Sequence, residues 1–253
     1  MALPPPTGAI KVERLQIKAP GAQEPIVRGV DFQLAKGEIL AVIGPSASGK
    51  STLARALVGI WPTVEGAVRL DGAPLDQWAP EALGPHLGYL PQDIELFDGS
   101  IAENIARFGD LDSEPIIQAA RHAGIHEMIL RFPQGYDTVL GPGGHGLSGG
   151  QKQRIGLARA VFGQPALIVL DEPNSNLDEA GEQALVQALR ALKAAGSTII
   201  MITHRPSVLG VVDKILVLAD GRQQLFGSRD QVLKAVLPPA SGPTPVREAR
   251  SDA

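Results

Sequence analysis

The sequence predicts an α/β fold whose core sheet is mostly parallel. Three segments, at 39–43, 166–170 and 197–202, are predicted to be buried strands. The first two are apolar throughout, which is the pattern of strands that are buried on both faces, and the third is apolar from Ile199 onward. Helical patterns alternate with these segments, as expected because parallel strands are joined by crossover helices. The first segment leads directly into a glycine-rich loop and a helix, which is the local arrangement of a phosphate-binding site.

The composition narrows the classes of protein to which the chain can belong. With 253 residues, it can form one large domain or two small ones around a substantial core. A net charge of −4, a pI of about 5.7 and only 4% aromatic residues disfavour a nucleic-acid partner. The sequence has no signal peptide and no apolar run near the roughly 20 residues of a membrane-spanning helix. Because cysteine is absent, disulfides and thiolate metal sites are excluded.

The N-terminal part predicts an antiparallel flank to the core sheet. Residues 1–9 are proline-rich and are interpreted as a linker or a cloning-derived end. Alternating apolar residues predict strands over 10–17 and 26–34, and a further strand over 64–70 ends in the tight turn Asp71-Gly72.

The glycine-rich loop matches the pattern G-x-x-x-x-G-K-[ST]. It consists of Gly44, Pro45, Ser46, Ala47, Ser48, Gly49, Lys50 and Ser51, followed by Thr52. Backbone N–H groups of such a loop cradle phosphates, Lys50 adds a positive charge at the β- and γ-oxygens, and Ser51 can ligate Mg²⁺. A helix with Leu53, Leu57 and Ile60 on its apolar face is expected to follow. This strand and helix around the loop argue against a chance match.

An acidic pair ends the second apolar run. A carboxylate at a buried strand end, as at Asp171, suits Mg²⁺ coordination through water. Glu172 points elsewhere and can polarise a nucleophilic water. The alternative, an acidic turn after a strand, is common, but the phosphate loop upstream disfavours it.

A third motif precedes a helix predicted over 152–162. It consists of Leu147, Ser148, Gly149, Gly150 and Gln151. Ser148 and Gln151 have the spacing of a capping box. The exposed N–H groups and positive dipole end of such a helix can also bind an anion. A plain helix start and an anion site are both compatible with this motif.

The remaining segments complete the α/β pattern. Short helices are expected between 101 and 132, and Asp178 is interpreted as the N-cap of a helix that ends at Gly196. The segments 215–218 and 223–226, on either side of the turn Asp220-Gly221, predict a final hairpin. A disordered tail is expected over 236–253, where proline, serine, glycine and charged residues dominate.

The three motifs, in this order, resemble the nucleotide-binding domain of ATP-binding cassette (ABC) ATPases. The resemblance covers about residues 10–235 and implies the P-loop NTPase fold of that family, with a helical subdomain inserted at about 93–163. It implies ATP and Mg²⁺ as the ligands, Glu172 and Lys50 as catalytic residues and His204 as a catalytic γ-phosphate contact. It also implies Gln92 as a ligand of the metal beside Ser51 and Asp171, on a loop that senses a membrane partner.

The resemblance also implies a second copy of the chain. In this family the segment 147–151 and the position of Asp178 act on ATP bound to the opposite copy, which gives an ATP-sandwich dimer. Without membrane domains to hold the copies close, we expect mostly monomer and a turnover that rises with protein concentration.

A more specific resemblance is to type I secretion ATPases, which export proteases, lipases and repeats-in-toxin proteins from Gram-negative bacteria. It depends on Trp61-Pro62, on the exporter-like segment 96–105, on the glycine-rich segment 140–146 and on the segment 171–178. It implies a transmembrane domain, a periplasmic adaptor and an outer-membrane channel as partners, and the cytoplasmic side of the inner membrane as the location. In that group the cassette is fused behind a membrane domain, so an excised domain is expected here. Multidrug exporters typically carry a glutamate in the segment before Leu147, and here Pro142 stands near that place. Asn176 occupies a position where the family usually has alanine.

Four alternatives stay open at this point. They are a stand-alone ATPase subunit of another ABC transporter, such as an importer; a non-transport ABC protein; a switch that binds without hydrolysis; and another class of phosphate-loop enzyme. The acidic pI argues against the second, and the presence of both Glu172 and His204 argues against the third. The fourth leaves the segment 147–151 without a role.

The base is expected to be held weakly. The family usually stacks adenine on an aromatic residue at the position of Ala19, but residues 1–43 contain no tyrosine, tryptophan or histidine. Phe32, the single phenylalanine there, alternates with core residues. Other side chains, for example Ile17 or the stem of Lys18, are candidates for an apolar cover of the base. We therefore predict weak ATP binding, with GTP bound within about tenfold of ATP.

Overall fold

The computed structural model describes residues 3–236, and residues 1–2 and 237–253 lie outside this range. The strands are β1 Ile10–Ile17, β2 Val27–Leu34, β3 Ile39–Ile43, β4 Thr63–Leu70, β5 Ala73–Pro74, β6 Leu87–Leu90, β7 Gly99–Ser100, β8 Val139–Leu140, β9 Leu167–Asp171, β10 Thr198–Ile202, β11 Lys214–Ala219 and β12 Arg222–Ser228. The α-helices are α1 Lys50–Leu57, α2 Pro80–Leu83, α3 Ile101–Ile105, α4 Ser113–His122, α5 His126–Ile129, α6 Gly149–Val161, α7 Glu179–Ala194, α8 Pro206–Leu209 and α9 Arg229–Val236.

The core is a six-stranded sheet in the order β12-β11-β3-β10-β9-β6. All neighbours in it are parallel except the hairpin of β11 and β12. Central β10 is buried at every residue, which explains its four consecutive apolar residues from Ile199 to Ile202. Because the parallel strands end at one edge, the residues that follow β3, β6, β9 and β10 are brought together there.

The predicted flank is a four-stranded antiparallel sheet in the order β2-β1-β4-β5. Val12 lies opposite both Phe32 and Val68, and all three side chains point into a core that helix α1 shares. The predicted alternation of these strands is therefore confirmed. The expected apolar face of α1 was wrong at one position, since the helix ends at Leu57 and Ile60 lies beyond it, 54% exposed.

Helices α3 to α6 pack against one another between residues 101 and 161. The pattern predicted no strand from 101 to 132 and none occurs there, but the short pair β7 and β8 flanks that segment. The proposed limits of the helical subdomain stay a prediction. Val236, assigned to a disordered tail, is the last residue of helix α9, and the rest of that predicted tail lies outside the described residues.

Within residues 3–236, no helix combines the length and the apolar character that crossing a bilayer requires.

Candidate nucleotide site

The phosphate loop joins β3 to α1 in a shape that particular residues impose. Gly44 has φ 153° and Gly49 has φ 95°, and a Cβ on Gly44 would clash with the carbonyl oxygen of Leu218. A Cβ on Gly49 would come within 2.9 Å of Val27. Ala47 also has a positive φ, 63°. Alternating backbone conformations of this kind turn successive N–H groups toward a common centre, where an anion can bind.

Lys50 lies under this loop. Its Nζ donates hydrogen bonds to the carbonyl oxygens of Gly44, at 2.9 Å, and Pro45, at 2.7 Å. Burial lowers the pKa of the Lys50 ammonium below its ordinary value, and the nearby carboxylates of Glu172 and Asp171 act in the opposite direction. The positive charge is thus held at the loop by two carbonyl groups, with carboxylates close by.

Asp171, the last residue of β9, fits a metal ion. Its side chain is 1% exposed, and neither carboxylate oxygen has a hydrogen-bond partner of normal geometry among the described residues, although the Ser51 hydroxyl lies nearby. Burial raises the pKa of this carboxyl, partly offset by Ser51. Unpaired buried oxygens are costly unless a ligand satisfies them. Within residues 3–236, no group of three or more carboxylate or histidine side chains is placed to hold a metal ion by itself.

Glu172 lies between two polar side chains that come from other strand ends. His204 Nε2 is 3.1 Å from one carboxylate oxygen, and Gln92 Nε2 donates to the other at 3.5 Å. The backbone of Glu172 is left-handed, with φ 52°, which is uncommon for a side chain other than glycine or asparagine. The side chain is 25% exposed, so solvent reaches it.

Lys50, Ser51, Gln92, Glu172 and His204 line one cavity of about 420 Å³ at the edge where the parallel strands end. Asp171 is buried and is not among the residues that line it. The lining of this cavity consists of Ile26, Ser46, Ala47, Gly49, Lys50, Ser51, Thr52, Gln92, Glu172 and His204. Two larger surface cavities, near Phe97 and near Glu13, contain no such convergence of phosphate loop, carboxylate and imidazole. The polar groups rather than the volume therefore identify this cavity as the candidate site.

The expected base cover is partly wrong. Ile17 is fully buried in the core and cannot meet a ligand. Ile26, which the sequence did not single out, is 37% exposed and lines the cavity beside Gly49. Phe32 is buried, with its ring 6.0 Å from that of Phe226, which confirms that it is a core residue.

The segment from Leu147 to Gln151 lies outside the lining of this cavity. Ser148 Oγ accepts a hydrogen bond from the N–H of Gln151, and the Gln151 side chain accepts one from the N–H of Ser148. The predicted capping box is confirmed, and it begins the 13-residue helix α6. Gly150 lies against the segment after β9, since a Cβ there would come within 2.9 Å of the carbonyl oxygen of Asn176.

Asp178 is the N-cap of helix α7, as predicted. Its carboxylate accepts a hydrogen bond of 2.9 Å from the N–H of Gly181. The role expected for Asp178 at an opposite site stays a prediction, as do the catalytic and binding roles of the other residues.

Comparison with known proteins agrees with this geometry. A family model described as ABC transporter matches residues 27–175, more than half of the chain. The type I secretion system ATP-binding protein PrsD of Rhizobium meliloti is 54% identical over 94% of this chain and 41% of its own length. The cyclolysin secretion/processing protein CyaB of Bordetella pertussis is 38% identical over 92% of this chain and 33% of its own.

Among solved structures, a bacterial Atm1-family ABC exporter with ATP bound matches with a TM-score of 0.85 and 36% identity. The match covers 93% of this chain and 41% of that one. The chain thus spans less than half the length of these relatives. It belongs to the ABC transporter family and has the fold of that family's ATP-binding domain.

Proposed function

We propose that this domain binds and hydrolyses ATP at the interface of two copies and thereby powers type I protein secretion. The observation that carries the proposal is the position of Glu172 between Gln92 and His204, in the cavity that the phosphate loop lines. A carboxylate held by two polar side chains, and reached by solvent, can accept a proton from an attacking water.

Each residue then has a distinct part in the reaction. The loop N–H groups and Lys50 bind the β- and γ-phosphates. Ser51, Asp171 and Gln92 would hold Mg²⁺, which neutralises negative charge on the phosphates when it is bound. Glu172 takes a proton as a water oxygen attacks the γ-phosphorus, and the bond to the bridging oxygen breaks to release ADP and phosphate. His204 contacts the γ-phosphate and keeps the Glu172 carboxylate in place.

The second copy supplies the groups that this cavity lacks. The N-terminus of α6 is capped within its own first turn, lies outside the cavity of its own chain and starts a 13-residue helix. Its dipole and remaining N–H groups suit the γ-phosphate of ATP in the partner. Asp178 would act at the same opposite site.

The proposal that this domain serves an exporter depends on its similarity to secretion proteins and on an exposed apolar surface. PrsD and CyaB are both named as secretion proteins, and the greater part of each lies outside the match. Phe97 and Phe108 are at least half exposed, with their rings 6.0 Å apart, close along the chain to Gln92. We infer that this apolar surface contacts a transmembrane domain at the cytoplasmic face of the bacterial inner membrane. The periplasmic adaptor and outer-membrane channel would be reached through that domain.

Substitutions at the cavity test the hydrolysis. We expect Lys50→Ala to abolish productive ATP binding because it removes the charge at the phosphates. Glu172→Gln should keep ATP binding and lower turnover by about 10²–10⁴-fold, the usual contribution of a general base. Phosphate release and nucleotide binding by purified protein measure the two effects. Glu81→Gln, an exposed glutamate on α2, is the matched control. Wild-type phosphate release by Glu172→Gln would exclude Glu172 as the base.

A further inference from the structure

Gln153 is a buried polar residue on helix α6 that the mechanism above does not use. It is 1% exposed, and its Nε2 donates a hydrogen bond of 3.2 Å to the backbone carbonyl oxygen of Glu172. The bond therefore joins the helix that begins at Ser148 to the residue proposed to activate water. A buried side-chain amide placed on a single carbonyl group fixes the distance between the two elements.

The backbone of Glu172, to which Gln153 donates, has a strained conformation that surrounding contacts must stabilise. The left-handed conformation of Glu172 is disfavoured for L residues and persists only when surrounding contacts hold it. Its N–H donates to the carbonyl of Ile202 at 3.1 Å, and its carbonyl also accepts from the N–H of Ser175 at 3.2 Å. Gln153 adds a third hydrogen bond, and it is a side-chain bond from another element.

One face of helix α6 packs along the segment 172–176, which comes after β9. Gly150 lies against the carbonyl of Asn176, and Gln153, three residues on, lies against the carbonyl of Glu172. Positions i and i+3 share a helix face, so the two contacts belong to one edge. Any displacement of α6 would therefore act on the segment 172–176 as a whole.

We propose that Gln153 is a positioning residue that transmits the position of helix α6, set by ATP on the partner copy, to the backbone of Glu172 in its own cavity. The inference rests on the proposed function, because it requires hydrolysis with Glu172 as the base. The N-terminus of α6 contacts the ATP bound to the partner copy. Gln153, on the same helix, positions the Glu172 carboxylate that acts on the ATP bound to its own chain. Each site then hydrolyses ATP only when the opposite site is filled.

Replacing Gln153 by methionine tests this role. Gln153→Met keeps the length and volume of the side chain but removes the donor. We expect turnover to fall by about 10- to 100-fold, since a misplacement of about 1 Å can cost 10²-fold. ATP affinity should stay within about twofold of wild type, because Gln153 does not line the cavity. Gln187→Met, the same change at an exposed position of α7, should leave both values unchanged.

A double variant separates positioning from other roles. In a Glu172→Gln background, Gln153→Met should lower the residual turnover no further, because residues that act as a unit are non-additive. The ATP-bound dimer of Glu172→Gln, followed by light scattering, should form equally well with and without Gln153→Met. Loss of that dimer would overturn the proposal, since Gln153 would then act on the interface itself.

Two further outcomes distinguish this inference from the proposed function. Wild-type turnover by Gln153→Met, with Glu172→Gln inactive, would overturn the positioning role alone. An active Glu172→Gln would overturn the proposed function. Should Gln153→Met not fold, Gln153→Asn replaces it, because that side chain stays polar but is one methylene too short to reach the Glu172 carbonyl. The same loss of turnover is expected from it, and wild-type turnover would contradict the role.

Discussion

Ile26 is the apolar side chain that the nucleotide base can meet. It stands at the edge of the cavity, with a methyl group 3.4 Å from where a Cβ on Gly49 would lie. Its N–H donates to the carbonyl of Ile17 at 2.8 Å, which closes the loop from 18 to 25. An aliphatic surface of this size covers a base without hydrogen bonds and so without selecting one base over another.

Base selectivity should therefore be poor and adjustable. We expect ATP and GTP to bind within about tenfold of each other, or about 1.4 kcal/mol. Ile26→Ala should weaken both nucleotides alike. Ala19→Tyr should tighten ATP, because base–aromatic stacking is worth about 1–3 kcal/mol. Titration of both nucleotides at the same Mg²⁺ concentration measures this, with Ile60→Ala as the control at an exposed apolar residue outside the cavity. A hundredfold preference for ATP would contradict the assignment.

The phosphate-loop motif and the acidic strand end predicted Lys50 and Glu172 as site residues, and the family resemblance added Gln92 and His204. Neither predicted the apolar residue Ile26, which also lines the cavity. Lys50, Gln92, Glu172 and His204 follow separate buried strands, and parallel strands bring such ends together. Ile26 reaches the cavity because the loop after β1 folds back toward the phosphate loop. The periodicity of apolar residues in the sequence does not indicate such a contact. The register shifts of β1 after Val12 and Leu15 turn Ile17 into the core instead.

At the scale of elements, Asn104 joins helix α3 to the turn before it. The side chain is fully buried and makes three hydrogen bonds: it accepts from the N–H of Phe97 at 2.9 Å and donates to the carbonyls of Phe97 and Ser100 at 2.9 and 3.0 Å. This turn carries the exposed ring of Phe97. Asn104 therefore shapes the surface that we assign to the transmembrane partner.

Removing that amide should destabilise the helical region. Asn104→Ala leaves three backbone groups of the turn unpaired, and each such group costs about 1–3 kcal/mol. We expect a loss of about 2–4 kcal/mol in the free energy of unfolding, measured by urea denaturation. Gln118→Ala, on the exposed side of α4, should change it by less than about 0.5 kcal/mol. A similar loss in both variants would show that the buried network is not the cause.

Elements with clear periodicity were predicted, and elements held by single contacts were not. The alternation in β1 and the apolar run of β10 report burial directly. Two-residue strands such as β7 and β8 are too short to have a period. No sequence pattern predicted the structural role of Arg107. Its guanidinium donates hydrogen bonds to four carbonyl groups of β6, α6 and the turn before β6. Burial lowers the pKa of this guanidinium, with Arg159 acting in the same direction.

For the whole molecule, the proposed function requires a second copy to complete the site. Neither the start of α6 nor Asp178 lines the cavity of its own chain. Each copy also carries a net charge of −4, so two copies repel each other weakly at low salt. Without a membrane domain to raise their effective concentration, association depends on how much protein is present.

Turnover per chain should therefore rise with protein concentration. We expect mostly monomer in solution, and a specific activity that increases until the dimer saturates. Phosphate release measured over a dilution series, beside sedimentation of the same samples with ATP, checks this relation. A constant specific activity in a protein shown to be monomeric would contradict the two-copy site.

The left-handed backbone of Glu172 has a consequence for how this sequence can change over time. Asparagine tolerates that conformation better than glutamate does, so an exchange there would relieve backbone strain. It would also remove the carboxylate that we propose takes the proton. Selection for heat resistance alone would thus favour an inert protein at this position. Thermostability screens of the domain therefore need a parallel assay of ATP hydrolysis, because they would otherwise select stabilised variants that are inactive.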